Sequence, residues 1–282
     1  MYNMILIDNN QIILSNIFQS IKYNNEMDID FIRHLVLNTY RSFRKKFSDE
    51  YGEIIICHDS PDCWRKHIFS NYKAQRRKKQ KDSDVDWNKI FEYLHIIRDE
   101  IEENLPYKNI SAQNTEADDV IAVIAKRFCT QEKILIISSD KDFQQLQRYE
   151  NIKQYSPSKK DFVVCEDPET YLLEHVLRGD SSDGIPNILS DDDCFIEETK
   201  KQRPLTKKKL THYKETTISE DDPAFKNWNR NKVLVDFEEI PDDIQDRIHL
   251  NFDGSTYGDR SKILNYFITK KLVKLVNYLE DF

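Results

Sequence analysis

The chain has 282 residues, with 50 aspartates and glutamates against 42 lysines and arginines and a formal net charge of −8. Its apolar runs are short, whereas a membrane-spanning helix needs about 20 consecutive apolar residues, so the composition argues against a membrane protein. With 39% hydrophobic and 11% aromatic residues the chain can still bury a core, which excludes global disorder and fits one large domain or a large one plus a small one.

Residues 3–8 form a short apolar run that reads as a buried parallel strand ending at Asp8. The first eight residues lack a basic leader and reach that aspartate too soon for a signal peptide. Residues 30–47 carry apolar side chains at helical spacing, and 53–59 read as a second strand, ending at Asp59. Residues 64–81 then hold Arg65, Lys66, Lys73, Arg76, Arg77, Lys78, Lys79 and Lys81 with no acid, interleaved with Trp64, Phe69 and Tyr72. A helix is predicted over 87–105, a weak strand over 107–111, and a helix over 116–128 that opens with Glu116-Ala-Asp118-Asp119. Thr115-Glu-Ala-Asp118 also reads as a capping box in which Asp118 reaches back to the Thr115 amide.

Strands follow at 133–139 and, more weakly, 151–155, with Asp140-Lys-Asp142 just past the first. Asp167-Pro168 starts a helix that Gly179 ends, and Asp180-Ser-Ser-Asp183 comes next. Strands alternating with helices call for an open, mostly parallel sheet covered on both faces, followed by a smaller, largely helical region. Residues 190–223 are polar and read as the most mobile segment, and 261–282 as one amphipathic helix packed on the body. The five cysteines are scattered, with no C-x-x-C and no histidine at ligand spacing, which predicts reduced thiols, a cytoplasmic location and no zinc site.

In such a sheet, ligands bind outside the carboxyl ends of the strands. Here those ends carry Asp8, Asp59, Asp140 and Asp142, joined by Glu116, Asp118 and Asp119 and by Asp180 and Asp183. Any one of these acids could be a turn or a cap, but together they would repel one another unless a cation held them. Hard oxygen donors point to Mg²⁺, with Mn²⁺ able to substitute, and the number of acids suggests two ions. Setting these nine negative charges aside turns the net charge from −8 to +1, and the basic run with its aromatic rings then reads as a nucleic-acid footprint. Lys207, Lys208 and Lys209 offer a second basic patch.

Leu6-Ile7-Asp8, Cys57-His58-Asp59, Tyr72-Lys73-Ala-Gln-Arg76, Glu116-Ala-Asp118-Asp119, Ser139-Asp140-Lys-Asp142-Phe143 and Arg178-Gly179-Asp180-Ser-Ser-Asp183 resemble, in order and spacing, the signatures of the flap endonuclease or 5′-nuclease family. The likeness runs through Leu234-Val-Asp-Phe-Glu-Glu-Ile-Pro241 to the last residue and is closest to the ribonuclease H branch of T-even phages. The resemblance implies a PIN-like α/β domain over 1–180 with a helical arch at about 60–86, and a smaller, mainly α-helical domain over 181–282. It implies a Mg²⁺-dependent 5′ to 3′ exonuclease on RNA·DNA and DNA·DNA duplexes, with flap endonuclease activity, that removes RNA primers during lagging-strand replication. Asp8, Asp59, Glu116, Asp118 and Asp140 would hold the first ion, and Asp142, Asp180 and Asp183 the second, partly through water. Asp119 matches a family carboxylate, Lys73 and Arg76 match residues on the scissile phosphate, and Asp8, Asp59 and Asp140 carry the chemistry.

The implied partners are duplexes with a 5′ end, flap or fork, a single-stranded-DNA-binding protein and a sliding clamp. The implied protein is a monomer in a cytoplasm, the host's if phage-encoded. One departure stands out: no glycine occurs between Gly184 and Gly254, so the family's glycine-rich helix-hairpin-helix is degenerate here. Duplex binding then falls to the basic residues at 200–214. A nonenzymatic flap- or fork-binding protein of the same fold is the rival reading, yet it would have no use for nine acids.

Overall fold

The computed structural model describes residues 3–24 and 27–282; Met1 and Tyr2, on which the expectation about a signal peptide partly rests, lie outside the described residues. In chain order the strands are β1 (Met4–Asp8), β2 (Glu53–Cys57), β3 (Lys108–Ile110), β4 (Ile134–Ile137), β5 (Ile152–Ser156) and β6 (Asp161–Val163). The helices are α1 (Asn9–Asn24), α2 (Ile29–Tyr51), α3 (Trp64–Ile68), α4 (Ala74–Lys81), α5 (Trp87–Asn104), α6 (Ala117–Phe128), α7 (Pro168–Arg178), α8 (Lys207–Glu215), α9 (Phe225–Val235), α10 (Asp242–Gly254), α11 (Lys262–Thr269) and α12 (Val273–Val276). The sheet runs β3-β2-β1-β4-β5-β6, parallel throughout except for the edge strand β6. This is the mixed, mostly parallel α/β architecture expected, with a helical C-terminal part.

The central strands are Ile-rich because both faces are covered. Ile5, Ile7, Ile54, Ile56, Leu135 and Ile137 face α1, α2 and α5, while Leu6, Ile55 and Ile136 face α6, α9 and α10. Asp28 caps α2 through the Asp30 and Phe31 amides, and Gly52 ends it at φ 74, where a Cβ would lie 2.2 Å from the Asn3 carbonyl oxygen. Among the described residues no helix is long and apolar enough to cross a membrane.

Several local expectations change. Helix α1 was not foreseen: it starts directly off β1, where the Asp8 carboxylate accepts the Gln11 amide at 3.2 Å. The capping box sits one residue later than expected, at Glu116, with Asp119 rather than Asp118 reaching back to the Glu116 amide. Residues 261–282 do not form one helix. After α11 the chain turns at Lys271, φ 55, into α12 and a 3₁₀ turn, so that Leu272, Leu275 and Phe282 enter the same core as Ile263, Tyr266 and Phe267. The polar stretch 190–223 contains α8, capped by Thr206, and is tied down by the Asn187 side-chain amide donating to the Arg203 carbonyl.

Candidate metal centre and nucleic-acid interface

Parallel register brings the first three acids together. Asp8 ends β1 opposite Cys57, the last residue of β2, and Ile7 lies opposite Ile137, the last residue of β4. Asp59 and Asp140 follow within three residues of those strand ends, so the three carboxylates emerge at one edge of the sheet. Helix α6 packs against β1 and β2 and adds Glu116 and Asp118 from its first turn. These five acids, with Lys73 and Arg76, line an open cleft of ≈ 400 Å³.

The acids differ in how their charge is met. Asp59 accepts hydrogen bonds from the Ala117 amide at 2.7 Å and the Asn10 side chain at 2.5 Å, and Asp8 from the Gln11 amide and, at 3.3 Å, the Ser138 hydroxyl. No cation within ion-pair distance serves Asp8, Asp59 or Asp140 among the described residues. Burial and the neighbouring Asp59 push the Asp8 carboxyl up to about 7, and burial raises Asp59 and Asp118 as well. Glu116 is the opposite case. Burial pushes it up, but Lys73 Nζ at 2.5 Å and Arg65 Nη1 at 3.2 Å bring it down to about 2.

A second group lies beside the first. Asp142, Asp180 and His175 each offer a ligand atom within 4.8 Å of the others. Asp180 is held well below the carboxylate range, hydrogen bonds from His175 and Ser182 and the nearby Lys141 ammonium outweighing its burial. Burial pushes Asp142 up to about 7 against the pull of His175. Asp183 faces the other way, toward Tyr72, Lys73 and Arg76. The base of the arch is stitched to this loop: the Lys73 amide donates to the Asp183 carbonyl at 2.7 Å, and Arg76 Nε to the Ser182 carbonyl at 3.0 Å.

The basic run divides in two. Arg76, Arg77, Lys78, Lys79 and Lys81 on α4 are exposed, as are Lys207, Lys208 and Lys209 on α8. Arg65 and Tyr72, expected to touch nucleic acid, cannot reach it in this arrangement. Arg65 is 2% exposed, donates to the Leu234 carbonyl and pairs with Glu116 and Asp119, while the buried Tyr72 hydroxyl donates to Glu116 at 2.8 Å. Trp64 and Phe69, read as stacking rings, are core residues, the Trp64 indole donating to Asp119 at 3.0 Å. Asp119 itself is fully buried between Arg65, Trp64 and the Glu116 amide, and offers a carboxylate oxygen within 4.8 Å of ligand atoms of Glu116 and Asp118. Asn10, Lys141 and His175 are site residues that sequence reasoning missed. Asn10, two positions past a strand-end aspartate, was legible, whereas His175 lies on α7 and belongs to none of the acidic motifs.

Residues 3–173 match the family model described as 5′-3′ exonuclease, N-terminal resolvase-like domain, and 166–282 match that described as T4 RNase H, C terminal. The chain is 32% identical to the ribonuclease H of Enterobacteria phage T4, over 98% of this chain and 95% of that one. It is 29% identical to the 5′-3′ exonuclease of Mycoplasmopsis pulmonis over 65% of this chain and 61% of that one. In fold it is similar to the flap endonuclease of bacteriophage T5 solved with DNA and metal ions, with a TM-score of 0.65 at 18% identity over 89% of this chain and 97% of that one. The chain therefore belongs to the 5′-3′ exonuclease family, with a C-terminal part of the T4 ribonuclease H type, and is a nuclease.

Proposed function

We propose that this nuclease degrades RNA·DNA and DNA·DNA duplexes from a 5′ end and cuts 5′ flaps, using two Mg²⁺ ions, and that it removes RNA primers during DNA replication. The observation that carries this reading is the meeting of Asp8, Asp59, Glu116, Asp118 and Asp140, from four separate segments, under Lys73 and Arg76 in one cleft. The donor set fits such ions: all-oxygen, half-buried at Asp8, Asp59, Glu116 and Asp118, and short of positive charge at Asp8, Asp59 and Asp140. Asp8, Asp59, Glu116, Asp118 and Asp140 would hold one ion and Asp142, Asp180 and Asp183 the other, partly through water. When bound, such ions lower the pKa of attacking water and stabilise the leaving oxygen.

The chain's own residues supply the rest. Lys73 and Arg76 are paired with Glu116 and Asp183, line the cleft, and would be the cations that meet a phosphodiester bound there. Asn10 holds the Asp59 carboxylate in place. Lys66, Arg77, Lys78, Lys79 and Lys81, with Lys207 to Lys209, attract the backbone of the substrate. The division into a domain over 1–180 and one over 181–282 belongs to the same reading, as do the replication partners taken from the family, a single-stranded-DNA-binding protein and a sliding clamp. Digestion of a 5′-labelled RNA·DNA duplex tests it: cleavage in Mg²⁺ and none in excess EDTA is expected, and equal cleavage in both would overturn it.

A further inference from the structure

His175 stands apart from the oxygen donors on which the two-ion reading rests. It lies in the last turns of α7, 6% exposed, with Nε2 3.3 Å from Asp180 Oδ2 and Nδ1 3.5 Å from Asp142 Oδ1. Nδ1 and Asp142 Oδ1 are both buried, and neither has a hydrogen-bond partner. Buried polar atoms without partners are costly, and two of them pointing at each other mark a place where a cation is missing. Two ligand atoms that share one ion at about 2.1 Å each stand roughly 3 to 3.5 Å apart, which matches this pair.

The surroundings hold the imidazole as metal-binding imidazoles are held. With Nε2–H donating to Asp180, the neutral ring would turn its Nδ1 lone pair toward Asp142, where a metal could take it. Lys141 Nζ, 3.1 Å from Asp180, pairs with the carboxylate that orients the ring. The Tyr171 ring packs edge-on against the imidazole, and an open cavity of ≈ 480 Å³ is lined by Lys141, Tyr171 and His175 on its outer side. Imidazole nitrogen is a softer donor than carboxylate oxygen and favours first-row transition metals over Mg²⁺.

We propose that Asp142 Oδ1 and His175 Nδ1 are ligands of a mixed nitrogen–oxygen subsite whose preferred occupant is a transition-metal ion such as Mn²⁺ rather than Mg²⁺. This builds on the two-ion reading above and changes the identity of the second ion. Mn²⁺ alone is the probe, with binding counted by titration and its ligands read by pulsed electron paramagnetic resonance, where a directly bound imidazole gives nitrogen modulation. The parent chain should bind two Mn²⁺, one of them with nitrogen modulation. His175→Gln should lose the modulation and weaken the second Mn²⁺ at least about tenfold while changing Mg²⁺ affinity much less.

Two bound Mn²⁺ with no nitrogen modulation in the parent would overturn the inference and leave the two-ion reading standing, with His175 acting only as a cation between two carboxylates. Modulation that survives in His175→Gln would also overturn it. A chain that binds no Mn²⁺ at all would overturn both. The parent measurement decides the point even where the variant fails to fold.

Discussion

The acids around the cleft fall into two sets that look alike in sequence and differ in what faces them. Glu116, Asp119, Asp180 and Asp183 meet Lys73, Arg65, Lys141 and Arg76, and their job in the free protein is to anchor the arch and the 180–183 loop to the sheet. Asp8, Asp59 and Asp140 meet amides, a hydroxyl and one another. A carboxylate that already has its cation is held in place before any ion arrives, and one that lacks it has the larger need of positive charge from outside. On the proposed reading, metal and substrate phosphate are the two arrivals that complete the site.

The largest effect expected from breaking this contrast is on the compensated set. Arg65→Met removes a fully buried cation and leaves Glu116 and Asp119 without it, which should cost about 3–5 kcal/mol of stability, read as a drop in the denaturant midpoint at constant slope. A change under about 1 kcal/mol would show that these acids do not depend on it. Lys73→Ala should fold, because Lys73 sits nearer the surface, but should slow single-turnover cleavage by about a hundredfold, the size of a removed charge-stabilising donor. A purely structural lysine would change stability and leave that rate alone.

The two sets should also titrate in different windows. Asp8 and Asp142 rise to about 7 in the folded chain from 3.8, so between those values the folded state keeps protons that the unfolded state has lost, and raising the pH favours unfolding. Metal-free protein should therefore lose thermal stability from pH 5 to pH 8, by roughly 2–4 °C for each kcal/mol, and added divalent metal should abolish the loss. Glu116 and Asp180 shift downward, so their contribution is present above the unfolded carboxylate range and disappears only as the pH falls below about 4. A flat melting temperature across pH 5–8 in EDTA would mean that the strand-end acids carry no excess burden of charge.

The smallest effect concerns the exposed cations. Lys79→Ala should weaken duplex binding modestly and reduce the slope of log affinity against log salt by about one unit, with the single-turnover rate unchanged. If Lys73→Ala and Lys79→Ala gave the same binding loss and the same rate, the distinction between cleft and backbone contacts would fall.

Much of this is legible in the sequence. Ile-rich strands that end in aspartate define both the sheet and its working edge, because parallel register forces those ends together. What the sequence hid was direction. Arg65 and Lys79 are equivalent as entries in a charge count, yet one is sealed under the sheet by Asp119 and the other points to solvent, and only the packing of Trp64 and Phe69 decides which. The start of α1 was masked because Asp8 supplies its cap from within a strand. The break near Lys271 was masked because the apolar spacing of 263–282 suits a helix as well as a turn that reuses the same core. His175 was missed because its partners come from a different segment and from the far side of a glycine.

The central claim is that the uncompensated strand-end acids hold the catalytic metal. Asp140→Asn tests it most directly, since it removes one charge with almost no change in shape. Single-turnover cleavage of a 5′-flap substrate across a Mg²⁺ titration should stay at least about a hundredfold below the parent at every concentration, while duplex binding in Ca²⁺ is kept or strengthened by the less negative cleft. Cleavage at the parental rate would contradict the account.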